Sequence, residues 1–288
     1  MKRLAVSLCL TALLTGEALA QDVPAIVSEA YTFAVVDSRS LKAHVFRRSD
    51  PAENSRTPGI LIFHGGGWAY GAAEWSFPRA KHFAERGLVA IAVEYRLSDQ
   101  KSVTPIDAVE DAKSAIRWTR ENADRLGIDP NRLVAYGWSA GAHLAVASAI
   151  FDTSSTRQST PDALILVSPA VALEKDGWFR RLLLGLADVA DLDPSRHLRK
   201  GLPPTLVLQG DVDTVTPLSG VRDFCDRSRA LGNTCDLEVY EGFGHLFTPA
   251  GVPDDGEPKP DPKTQAAAYA RIDKFLSELG YMKESLLP

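Results

Sequence analysis

The sequence predicts an α/β domain in which a mostly parallel sheet of about eight strands carries helices on both faces and a small cap insertion. Three observations predict it. Short, continuously apolar runs alternate with longer stretches of helical periodicity. Two of those runs end in glycine-rich turns. The chain has 288 residues, and a single α/β domain commonly reaches about 250.

The elements follow in order. Segments around Ala30 to Val36 and Leu41 to Phe46 read as an antiparallel hairpin at the sheet edge. The buried strand candidates are Gly59 to Phe63, Leu88 to Glu94, Leu133 to Tyr136, Ala163 to Val167, Thr205 to Gln209 and Cys235 to Tyr240. Most are apolar throughout, which implies burial on both faces. Between them lie helical patterns at Phe77 to Arg86, Pro105 to Leu126, Ala140 to Ile150, Pro217 to Leu231 and Thr264 to Leu279. The second and last carry apolar residues at helical spacing with charges between. Trp178 to Leu186 falls between two late strands and is the expected cap. Pro249 to Pro262, rich in Pro, Gly and Asp, reads as loop.

Residues 1–20 form an expected signal peptide, and 21–288 the domain. Lys2 and Arg3 precede an apolar run from Leu4 to Leu14, and Ala18-Leu19-Ala20 is a small-x-small cleavage pattern. A run of roughly a dozen apolar residues is short of the ~20 that span a bilayer, so no stable membrane anchor is expected. The expected location is periplasmic or secreted. Removal of the leader takes Cys9 with it and leaves Cys225 and Cys235, an even count suited to a disulfide across the Gly232-Asn233 turn. Such a loop contributes about 3 kcal/mol in the chain-entropy model; two buried thiols are the alternative. The net charge of -5, with interspersed signs, offers no basic stripe for nucleic acid.

Four stretches carry chemistry. Gly137-Trp138-Ser139-Ala140-Gly141 lies between a strand and a helix, where a sharp turn projects a serine hydroxyl above the sheet. His64-Gly65-Gly66-Gly67-Trp68 is a turn whose Gly66 and Gly67 N–H groups, with that of Ala140, suit an oxyanion hole. It lacks the Lys-Ser/Thr ending of a nucleotide loop, and His64 is expected to shape the turn. Gln209 to Pro217 offers two carboxylates for orienting a histidine; the resemblance described below implies Asp213, just before Val215-Thr216-Pro217, and leaves Asp211 as a turn former. Gly242-Phe243-Gly244-His245 places a histidine on a loop after the last strand, giving the order Ser139, Asp213, His245 along the chain. His44 and His82 are expected at the surface, and His143 and His197 in structural roles. Trp68 and Trp138 are expected to wall a substrate pocket; Trp75 stays open between wall and core.

These stretches resemble the esterase/lipase members of the α/β-hydrolase superfamily, and among them a bacterial carbohydrate-esterase-like group with acetyl and feruloyl esterases. Glu94-Tyr95-Arg96-Leu97, Asp111 to Trp118, Gly127-Ile128-Asp129-Pro130, Ser139 to Leu144-Ala145, Ser195 to Pro204 and Cys235 to Phe247 carry the likeness over nearly all of residues 21–288. Two features depart from it: no Ala-Pro-Glu follows Tyr95-Arg96-Leu97, and Ala142 stands where Gly is usual. The resemblance implies acyl transfer through an acyl-enzyme. Ser139 would be the nucleophile, His245 the base and Asp213 the orienting acid, acting on a small-molecule or oligosaccharide ester with no metal or organic cofactor. A serine peptidase or amidase of the same fold shares the triad order. A non-catalytic binding protein of the fold would lack one of the three residues.

Overall fold

The computed structural model describes residues 24–50, 56–99, 101–151, 158–252 and 257–282. The expected signal peptide lies outside them. Eight strands run in chain order: β1 (Ile26–Val36), β2 (Arg39–Arg48), β3 (Thr57–Phe63), β4 (Val89–Val93), β5 (Ile128–Trp138), β6 (Ala163–Val167), β7 (Thr205–Gly210) and β8 (Cys235–Tyr240). They form one sheet in the order β1-β2-β4-β3-β5-β6-β7-β8, and β2 alone runs against its neighbours. The described helices are α1 (Phe77–Glu85), α2 (Pro105–Glu121), α3 (Ala123–Leu126), α4 (Ala140–Ile150), α5 (Gly177–Leu182), α6 (Val189–Leu192), α7 (Leu218–Ala230) and α8 (Pro262–Glu278). This is the predicted α/β-hydrolase architecture.

The hairpin starts at Ile26, earlier than residue 30, because backbone pairing continues to Ile26↔Arg48. Asp37 and Ser38, both at positive φ, make the two-residue turn whose hand matches strand twist. The helix expected over 105–126 is broken at Asn122. Its amide donates to the Trp118 carbonyl at 2.8 Å and ends α2 before the short α3. The start of α2 is fixed by Pro105 in its first turn and by a capping box between Thr104 and Asp107. Arg96, at the end of β4, reaches Asp111 with its Nε and Nη2 and Asp107 with its Nη1, and so ties the strand end to this helix.

Alternate residues of the central strands feed two cores, one on each face of the sheet. Leu61, Phe63, Ile91 and Ala135 point toward α2, α4, α5 and α7. Ile60, Ile62, Ala90, Val134, Tyr136 and Trp138 point toward α1 and α8, against Phe83, Ile272 and Phe275. Each fully buried Leu, Ile or Phe contributes about 1.5–3 kcal/mol, which explains why the strands are apolar throughout. Cys225 on α7 and Cys235 on β8 are joined by a disulfide, as the cysteine count predicted. Among the described residues no helix is long and apolar enough to cross a membrane.

Candidate active site

The turn that carries Ser139 is built by steric necessity. Ser139 sits between β5 and α4 at φ 53°, ψ -123°, a conformation that L residues seldom adopt and that lifts its hydroxyl off the sheet. The turn packs so closely on β3 that a Cβ at Gly141 would lie 2.1 Å from the Phe63 carbonyl oxygen. Ser139 N–H donates to the Val167 carbonyl, which fixes the turn to β6. Ala140 is the first residue of α4, so its N–H has no acceptor within the helix.

The structure brings Ser139, His245 and Asp213 together. Ser139 Oγ lies 3.0 Å from His245 Nε2, and His245 Nδ1 lies 2.9 Å from Asp213 Oδ2. Ser139 is half-buried; His245 and Asp213 are buried. The carboxylate is saturated with donors. Val215 and Thr216 N–H donate to its Oδ1 at 2.9 and 2.7 Å, and Gln209 Nε2 and Thr216 Oγ1 to its Oδ2 at 2.9 and 2.8 Å. Burial raises the Asp213 carboxyl, but the His245 hydrogen bond and charge and the Thr216 donors outweigh it, holding it below the ordinary carboxylate range. Asp211 accepts from the Gly242 and Phe243 N–H groups, at 2.7 and 3.3 Å, and so forms the turn carrying His245. Leu246 and Phe247, both at positive φ, complete that turn, with Leu246 N–H donating to Ser168 Oγ at 3.1 Å. Ser168, Gln209 and Thr216 are supporting residues that sequence reasoning missed; only Gln209, a polar residue closing an apolar strand, carried a signal.

Gly66 and Gly67 line a cavity of about 830 Å³ together with Ser139 and His245. Gly66 adopts φ 118°, and a Cβ there would fall 2.1 Å from the Tyr70 carbonyl oxygen. His64 shapes this turn: its ring stacks on Tyr95 at 4.4 Å and its Nδ1 lies 2.6 Å from the Gly65 carbonyl oxygen. Burial pushes its pKa down. The cap insertion braces the turn from outside, where Trp178 Nε1 on α5 donates to the Gly67 carbonyl at 2.8 Å.

Trp138 and Trp75 line the cavity, but Trp68 does not, which corrects the sequence reading. At φ 60° its ring turns to the opposite face of the sheet. There it packs on Phe179 and donates from Nε1 to His143 Nδ1 at 3.1 Å. His143 in turn donates from Nε2 to the Leu192 carbonyl at 2.9 Å. Burial pushes its pKa down to about 4, so it serves as a neutral brace between α4, the glycine turn and the insertion. His44 and His82 are also not free surface residues: each is half-buried against a carboxylate, Glu94 and Asp273 respectively.

The remaining cavity wall comes from α1 and α8, with Arg79, Ala268, Tyr269 and Ile272, and from Tyr136 of β5 and Phe247. None of these was singled out from the sequence, because a wall assembled from distant helices has no linear motif.

Fold and site together define an α/β hydrolase in which a serine, a histidine and an aspartate are hydrogen-bonded in series. The alpha/beta hydrolase fold family matches residues 60–249, and the chain belongs to that family. Among solved structures it is similar to Thermogutta terrifontis esterase 2, whose native form is 32% identical with a TM-score of 0.77, covering 89% of this chain and 94% of that one. Among curated proteins it is similar to Esterase LipC of Mycobacterium tuberculosis, 26% identical over 228 residues, 70% of this chain and 56% of LipC. It is also similar to the isoprenylcysteine alpha-carbonyl methylesterase of Arabidopsis thaliana, 25% identical over 224 residues, 68% and 52% of the two chains. The chain spans about half the length of these curated relatives.

Proposed function

We propose that this chain is a serine esterase that hydrolyses carboxylic esters of short acyl or aryl acids through an acyl-enzyme on Ser139. The observation that carries the reading is the continuous relay from Ser139 Oγ through His245 to Asp213 at 3.0 and 2.9 Å, opening on a cavity. Ser139 gives its proton to His245 Nε2 and attacks the ester carbonyl. The oxyanion is received by the N–H groups of Gly66, Gly67 and Ala140, each donor contributing about 3–4 kcal/mol to the transition state. The imidazolium, stabilised by Asp213, protonates the leaving alcohol. Water then enters by the same route and releases the acid.

Short acyl groups are supported by the similar T. terrifontis esterase 2, whose solved structures include a propionate-bound and a butyrate-bound form. The leader-like N-terminus supports export to the periplasm or medium, and with it esters met there, such as acetylated or feruloylated carbohydrate. Amino-terminal sequencing of the protein from an exporting host tests the first point, with Gln21 expected at the new terminus.

The activity is tested by p-nitrophenyl acetate hydrolysis by wild type and Ser139→Ala at equal folded concentration, judged by circular dichroism. Turnover by the wild type and background rate in the variant are expected. Equal activity in both would remove Ser139 from the reaction.

A further inference from the structure

We infer that the cavity is built for an ester that also carries a carboxylate, and that Arg79 is the residue that recognises it. The inference rests on the esterase reading and adds the substrate class.

Arg79 stands in the first turn of α1 and lines the cavity that contains Ser139. Its guanidinium lies over the ring of Trp138, 4.1 Å from the centroid, and Trp138 immediately precedes the nucleophile. The cation is therefore held over an aromatic face in the wall of the cavity that contains Ser139.

Its hydrogen bonding is incomplete. Nη1 donates to the Trp75 carbonyl at 3.4 Å, a long contact, and the buried Nε has no acceptor. Among the described residues no carboxylate pairs with it; the ionisable groups acting on it are the phenols of Tyr136, a hydrogen-bonding neighbour, and Tyr269. Glu257 also lines the cavity but is exposed and forms no ion pair with Arg79.

Two other sheltered arginines on this scaffold are matched with acidic partners: Arg86 has Asp273, and Arg96 has Asp107 and Asp111. With no carboxylate paired to it among the described residues, the guanidinium leaves its buried Nε unmatched, and a planar carboxylate matches that fork in two parallel hydrogen bonds. The surrounding wall of Trp75, Trp138, Ala268 and Ile272 suits the uncharged body of the ester. The substrate class is thus a monoanionic ester, with the carboxylate on either its acyl or its alcohol arm.

Two matched pairs of substrates separate charge from shape. On the acyl arm, p-nitrophenyl hydrogen glutarate is compared with p-nitrophenyl valerate; on the alcohol arm, meta-acetoxybenzoate with meta-acetoxybenzamide. After subtraction of spontaneous hydrolysis, the wild type is expected to favour the charged member of one pair by about tenfold or more in kcat/KM. Arg79→Gln is expected to bring that ratio to about one or below. Because the ratio is taken within one protein, a general loss of activity cancels.

Should Arg79→Gln not fold, the wild type decides alone. Free meta-hydroxybenzoate or glutarate must then inhibit hydrolysis of a neutral ester about tenfold more strongly than the corresponding amide. Neutral members hydrolysed as fast as charged ones in both pairs, with Ser139→Ala inactive, would overturn the carboxylate assignment and leave the esterase reading standing. No Ser139-dependent hydrolysis of any of the four would overturn the esterase reading itself.

Discussion

Replacing Asp213 with Asn tests the relay at its buried end. In the wild type Oδ1 accepts the Val215 and Thr216 N–H groups, while Oδ2 faces His245 Nδ1, Gln209 Nε2 and Thr216 Oγ1. The two backbone donors retain the amide oxygen of the substituted side chain at the Oδ1 position, so its NH2 falls where Oδ2 was. That NH2 then confronts the Gln209 amide, and it offers His245 Nδ1 a donor in place of an acceptor. Turning the Gln209 amide over does not relieve the clash, because Gln209 Nε2 also serves the Thr216 carbonyl at 2.8 Å. His245 answers by carrying its proton on Nε2, which points at Ser139 Oγ and then cannot take the serine's proton.

The expected loss in kcat is about 10,000-fold, equivalent to about 5 kcal/mol of barrier. Unmatched donors cost a further ~1–3 kcal/mol of stability. Steady-state hydrolysis of p-nitrophenyl acetate, with circular dichroism and thermal melts on the same samples, measures both. The depressed carboxyl of Asp213 stabilises the fold above the unfolded aspartate range, about pH 4, and that contribution is lost as pH falls below it. The stability gap between wild type and variant should therefore narrow in acid. A folded Asp213→Asn protein that retained a tenth of wild-type kcat would refute the role assigned to Asp213.

Three further outcomes are expected. His143 titrates near 4 in the fold against about 6.5 unfolded, so the unfolded chain binds the extra proton between those values and stability falls as pH drops through that window, by up to about 3 kcal/mol. Urea titrations across the window should show a slope that His143→Gln lacks. Trp178→Phe keeps the aromatic ring but removes the N–H held by the Gly67 carbonyl; kcat should fall about fivefold with KM little changed, and an unaltered kcat would show that the glycine turn needs no brace from the insertion. Changing both Cys225 and Cys235 to Ala should cost about 3 kcal/mol, or roughly 6–12 °C in Tm, without lowering kcat, since the bond lies between α7 and β8; a matching loss of kcat would place that edge in contact with the chemistry.

The sheet and the relay were legible in the sequence because their constraints are local. A doubly buried strand must be apolar at every position, and the turn after it must be Gly-x-Ser-x-Gly if α4 is to pack within reach of Phe63. The choice of Asp213 over Asp211 came from the resemblance, in which the acid stands just before a Val-x-Pro segment, and the loop geometry divides the two carboxylates between His245 and the turn. What was not legible depends on direction in space. Trp68 and Trp138 each adjoin a site residue in sequence, yet a positive φ sends the first into the opposite core. Arg79 and Tyr269 share a cavity with Ser139 only because α1 and α8 lie on one face of the sheet. Asn122 ended α2 through its own side chain, a competition that helical periodicity does not register.

The site straddles the sheet, and its two banks are anchored in different cores. On one bank His143 locks the nucleophile's helix, Trp68 of the glycine turn and Leu192 of the insertion into a single frame. On the other, α1 and α8 contribute side chains that take no part in proton transfer. Substitutions on that second bank therefore offer this scaffold an evolutionary freedom, since the lining of the cavity can drift there while the frame that holds Ser139 stays in register.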